Sequence, residues 1–191
     1  MVSSRWEVAL GSLALLLAGW AGWLDWRSRR IPNWLTVPAL AVGIGVNAAA
    51  SRASASFAWP GIKAALEGTG LGLGLLLPFV LARGLGAGDW KLMGALGAFL
   101  GPSNLVVVLL GTVFISGIMA VVQMVRSRRV KQTFSNLWVL ILSVVTFGIR
   151  GQRANITLDN PGLMTLPFGV AAAISTVLFF ATLAALSILK T

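Results

Sequence analysis

Apolar runs alternate with short polar breaks along nearly the whole chain. The runs are Val8–Leu24, Trp34–Ala50, Gly68–Ala82, Leu92–Leu100, Leu105–Val125, Leu137–Ile149 and Leu163–Leu189. A helix that crosses a bilayer needs about 20 mostly apolar residues. The first, second, fifth and last runs meet that length as they stand, and the third meets it if its helix begins near Ile62. Leu92–Leu100 is too short to face lipid alone, and Pro102 stops it. A short helix crosses only if it is packed inside protein or meets a thinned bilayer. Its Gly94, Gly97 and Gly101 would let a neighbouring helix approach closely. Leu137–Ile149, also short and striped by Ser135, Asn136, Ser143 and Thr146, reads as an interfacial or re-entrant helix. The pattern predicts an all-α polytopic bundle with about six membrane-crossing helices plus that one interfacial helix. The whole chain, residues 1–191, is expected to form a single membrane-embedded domain.

Composition agrees. Hydrophobic residues make up 57% of the 191 positions and charged residues 10%. Mean hydropathy is +0.88. Five acidic residues cannot keep a soluble surface of this size hydrated, so lipid must cover much of it. The formal charge of +10 does not indicate nucleic acid, because the cations sit in the breaks between apolar runs. The first run does not read as a cleaved signal peptide. It is long, Glu7 offsets Arg5, and no small-residue cleavage site follows.

The cations also set an orientation. With the amino terminus outside and every run crossing except Leu137–Ile149, Arg27, Arg29, Arg30, Arg83, Lys91, Arg126, Arg128, Arg129, Lys131, Arg150 and Arg153 fall in the cytoplasm. Only Arg5, Arg52, Lys63 and Lys190 then fall outside. Letting Leu137–Ile149 cross would move Arg150 and Arg153 out and weaken the positive-inside bias. Trp6 and Trp59 fall near the outer boundary, and Trp26, Trp34, Trp90 and Trp138 near the inner one, as interfacial belts do.

The chain has neither Cys nor His. That excludes Cys- or His-based zinc sites and any Ser–His or Cys–His nucleophile pair. No metal ligand set or cofactor is expected. Two acids stand out: Asp25 ends the first helix and Asp89 opens the fourth, and the orientation puts both at the cytoplasmic boundary. Ionisable groups at membrane depth are costly and usually face an interior cavity. Two neighbouring carboxyls can share one proton, one acting as base on water while the other protonates a carbonyl or leaving group. Each also has a plainer reading: Asp25 as a solvated interfacial residue, Asp89 as a helix cap. Helix polarity alone would rest a shared proton on Asp25, at a helix carboxyl end, and charge on Asp89, at an amino end. Glu7 and Glu67 lie near the outer face, and Asp159 sits in a turn sequence, Asp159-Asn160-Pro161-Gly162. Gly86-Ala87-Gly88-Asp89 is not a phosphate loop, since no Gly-Lys-Ser/Thr follows it.

Three segments carry a resemblance. Asp25 followed by Ile31-Pro32-Asn33-Trp34-Leu35-Thr36, then Gly86-Ala87-Gly88-Asp89-Trp90-Lys91-Leu92, then Leu166-Pro167-Phe168-Gly169 resemble, in order, motifs of the type IV prepilin and preflagellin peptidases. The resemblance implies an aspartyl endopeptidase with Asp25 and Asp89 catalytic. Pro32, Asn33, Gly86, Gly88, Lys91, Pro167, Phe168 and Gly169 would bind substrate or support the site. It also implies prepilin-like membrane substrates whose short basic leader is removed at the cytoplasmic face of the cell membrane. With no Cys-x-x-Cys pairs, the chain is similar to the short branch that does not methylate its product. Intramembrane acids also serve proton-coupled transporters and channels as relays, and a non-catalytic assembly subunit is a third possibility. Oligomeric state and substrate identity are not legible.

Overall fold

The structure, a computed structural model, describes residues 4–55, 57–81, 85–126 and 167–189. These form five helical elements: α1 (Ser4–Ser28), α2 (Asn33–Ala55), α3 (Trp59–Leu81), α4 (Ala87–Arg126) and α5 (Phe168–Ile188). All five are long and apolar enough to cross a membrane. The segment Leu137–Ile149, expected at the interface, lies outside the described residues, as does Asp159.

The fourth and fifth apolar runs form one element, and the reason is local. At 40 residues α4 would be about 60 Å long if straight, roughly twice the hydrocarbon thickness of a bilayer. It is not straight, because Gly101 adopts φ 71°, ψ 174°, a region open essentially to glycine alone. Pro102 follows, lacking the N–H that would continue the helix. The Asn104 side-chain amide donates to the stranded Leu100 carbonyl at 3.1 Å. Beyond Gly101 the chain turns back. A side chain built on Gly72 of α3 would touch both the Met93 carbonyl, at 2.7 Å, and Leu105, at 3.1 Å. A straight helix would hold those two residues about 18 Å apart. The limbs 87–100 and 102–126 therefore form a hairpin with α3 against both.

The short limb is the centre of the bundle. Every residue from Leu92 to Leu100 is buried, and α1, α2, α3 and α5 all pack on α4. This is the protein-packed environment that its length demands. Gly97 makes it possible: it and Gly68 of α3 meet backbone to backbone, each lying where the other's side chain would go. Gly101 has a second role beside the close approach expected of it. A Cβ on Gly68 of α3 would lie 3.0 Å from its carbonyl carbon, so the helices do approach here, and its positive φ also makes the reversal.

Side-chain donors on neighbouring carbonyls fix the register. Asn47 of α2 donates to the Ala98 carbonyl at 2.8 Å, and Ser175 of α5 to the Val108 carbonyl at 2.8 Å. Such interhelical bonds average about 0.6 kcal/mol in membrane proteins, so they orient more than they stabilise. Helix α1 shows how the faces divide. Ala14, Ala18, Ala21 and Asp25 are buried, while Leu16, Trp20, Trp23 and Arg27 are exposed. Both sets share one helical spacing, so they line opposite sides of the helix.

Candidate active site

Asp25 lies one turn before the end of α1. Arg29 takes a positive φ of 53° and its N–H bonds back to the Asp25 carbonyl at 2.9 Å, closing the helix. The Ser28 hydroxyl donates to the Leu24 carbonyl at 2.8 Å. The chain then crosses Arg30, Ile31 and Pro32, whose carbonyl accepts the first N–H bonds of α2, from Leu35 and Thr36.

The Asp25 carboxyl is buried and engaged. The backbone N–H of Gly169 donates to its Oδ2 at 2.8 Å, and Val170 contributes a second backbone bond. The first N–H groups of any helix lack intrahelical acceptors. At the start of α5 the preceding residue is Pro167, which has no side chain able to cap. Asp25, from a different helix, takes that role. Gly169 must be glycine here: a Cβ would sit 2.9 Å from the Asp25 Cβ, 3.1 Å from its Oδ2 and 3.1 Å from Ile31.

Asp89 occupies the first turn of α4, three residues beyond Gly86. Its carboxyl accepts the Gly86 backbone N–H, and the Trp90 N–H bonds to the Gly86 carbonyl. This is the reach-back half of a capping box. The capping role foreseen for Asp89 and its place beside Asp25 thus hold together. The two carboxyls, each tethered by a glycine N–H, are near enough to interact electrostatically. Helix ends alone do not distinguish them as the sequence suggested. Asp25 ends α1 but also faces the amino end of α5, a third helix terminus that the sequence did not reveal.

The other expected residues gather at the same end. Lys91 donates from its ammonium to the Asn33 side-chain oxygen at 2.9 Å, linking α4 to α2. A Cβ on Gly88 would lie 3.0 Å from the Ile31 carbonyl oxygen and 3.1 Å from its Cβ, so α4 begins hard against the turn after Asp25. Pro167 is buried, and Phe168 packs on the core.

Two residues acquire roles not foreseen for them. Ile31 is buried and touches both Gly88 and Gly169, filling the space between the helix ends that carry the aspartates. Its signal was an isoleucine inside the polar stretch Ser28-Arg29-Arg30-Ile31-Pro32-Asn33. Trp90, read as a member of an interfacial belt, is half-buried and its indole N–H donates to the Leu73 carbonyl at 2.7 Å. It clamps the start of α4 to α3.

A profile of the type IV leader peptidase family matches residues 12–121, more than half of the chain and a span that includes Asp25 and Asp89. The chain belongs to the type IV leader peptidase family. No curated protein and no solved structure matches it. As a type IV leader peptidase it is a multi-pass membrane protease, and the site just described lies mostly within the matched span. The contribution of α5 lies beyond that span and rests on the geometry of Pro167, Phe168 and Gly169 around Asp25.

Proposed function

We propose that this chain is a membrane-embedded aspartyl endopeptidase that removes the short basic leader of prepilin-like precursors at the cytoplasmic face, with Asp25 and Asp89 as its catalytic pair. The observation that carries this reading is two carboxyls from helix ends far apart in sequence, near enough to interact electrostatically and each held by backbone N–H groups.

In this reading the pair holds one proton between its two carboxyls. The ionised member takes a proton from a water as that oxygen attacks the scissile carbonyl carbon. The protonated member gives its proton to the carbonyl oxygen, forming a neutral gem-diol. Collapse breaks the C–N bond, with one carboxyl protonating the leaving nitrogen and the other recovering the proton of a diol hydroxyl. The products are a leader carboxyl group and a new amino terminus, and the pair again holds one proton. The Gly169 and Gly86 N–H groups keep the carboxyls from rotating away, which places entropy cost in the fold rather than in each turnover.

A proton relay through the membrane is less well supported. Such a path needs further ionisable groups across the bundle. Among the described residues, the remaining acids Glu7 and Glu67 are exposed, and the limb from Leu92 to Leu100 is apolar throughout.

The test is co-expression with a prepilin-like substrate, read as the mobility shift that follows leader removal. Processing by the native chain and none by Asp25→Asn or Asp89→Asn is the expected result. Full processing by either variant would remove that residue from the pair.

A further inference from the structure

The outward face of α1 carries a feature that leader cleavage does not use. Trp20, Trp23 and Arg27 lie on the side opposite Asp25, exposed, and Trp34 of α2 meets Trp20 edge-on with ring centroids 6.0 Å apart. The Arg27 guanidinium stands over the Trp23 ring, 5.7 Å from its centroid. Just past the helix end, Arg30 is also exposed. Neither Arg27 nor Arg30 is paired with a carboxylate among the described residues, where the acids at this end, Asp25 and Asp89, are turned inward.

We propose that this corner binds the headgroup of an anionic phospholipid. A guanidinium held near an indole face keeps its N–H donors directed along its own plane, open to the paired oxygens of a phosphodiester. The indoles supply an apolar body with a polar edge, suited to the depth where acyl chain meets headgroup. Leu16, one turn deeper on the same face, continues the apolar track for the chains. Two cations without a neighbouring acid select a headgroup with net negative charge over a zwitterionic one, whose own ammonium would meet them unfavourably. An acidic peptide segment would satisfy the charges but not the apolar track beneath them. The inference rests on the membrane setting of α1 and not on the peptidase reading.

The test uses full-length purified protein in detergent with defined additions of phosphatidylglycerol or phosphatidylcholine, read by native mass spectrometry as retained lipid. Phosphatidylglycerol should be retained preferentially. Arg27→Gln should weaken its retention about tenfold, the equivalent of one charge-assisted hydrogen-bonding group. Arg52→Gln, at the far end of α2, should leave it unchanged. Equal retention of the two lipids would overturn the proposal, as would an unaltered preference in Arg27→Gln. Displacement of the lipid by inorganic phosphate alone would show a bare anion site and overturn the lipid assignment.

Discussion

The Gly169 backbone N–H donates to Oδ2 of Asp25 at 2.8 Å across 144 positions of sequence. An aspartate on one helix thus caps another, and the second helix in turn fixes the aspartate. Gly169→Ala should disturb both, because the added methyl would lie 2.9 Å from the Asp25 Cβ. Overpacking of this kind costs roughly 1–3 kcal/mol. Leader processing is expected to fall by at least about tenfold, with only a modest drop in thermal midpoint in detergent. An Ala variant of undiminished activity would show that Asp25 does not depend on this contact.

Removal of either carboxyl should act on chemistry rather than on folding. Positioned acid–base groups contribute about 10²- to 10⁴-fold to rate. Asp25→Asn and Asp89→Asn should each lower processing by that order while the protein inserts and unfolds much as the parent does. Quantitative precursor-to-product ratios, with membrane yield measured in parallel, separate the two effects.

At Gly97 the expectation is the opposite. Its α-carbon faces the Gly68 backbone, so Gly97→Val must push α3 away from the buried limb of α4. A loss of about 1–3 kcal/mol or more in stability is expected, visible as a lowered unfolding midpoint and poor membrane yield. Gly117→Ala makes a suitable control, since nothing lies near that position.

The Lys91–Asn33 bond should show coupling between two helices. Lys91→Ala and Asn33→Ala are each expected to slow processing, and the double variant should be little worse than either alone. An interaction energy of about 0.5–1 kcal/mol would be consistent with a partly solvated pair. Strict additivity would mean the 2.9 Å contact does not matter to the site.

Orientation can be read with single cysteines, because the native chain has none. Ser28, beside the aspartates, and Ser103, beyond the reversal at Gly101, are both exposed and lie at opposite ends of the bundle. An impermeant thiol reagent added outside intact cells should label Ser103→Cys and reach Ser28→Cys only after permeabilisation. Labelling in the reverse pattern would invert the proposed topology.

Much of this architecture was legible from the chain because bilayer thickness imposes lengths and the charge pattern groups the helix ends that share a level. Those two constraints were enough to put Asp25 and Asp89 at one level and to require that Leu92–Leu100 be packed in protein. What escaped was carried by backbone groups. Pro167-Phe168-Gly169 offers no polar side chain, so nothing in its letters shows that its N–H groups reach Asp25. Trp90 looked like a belt residue because an indole N–H suits headgroups and buried carbonyls equally, and only packing decides between them. Gly101 reads as a contact glycine, which it is, but its letters do not show that its backbone angles also make it the hinge point of a hairpin.

The same span of 144 positions has a consequence for biosynthesis. While the ribosome is still making the residues before α5, α1 and the short limb of α4 already exist, yet the partner that holds the Asp25 carboxyl does not. The long limb of α4 also lacks the Ser175 bond to its Val108 carbonyl until α5 arrives. If the proposed aspartate pair is the catalytic one, a nascent chain that has emitted both aspartates still lacks the bond that holds Asp25, and activity is expected only once α5 inserts and docks.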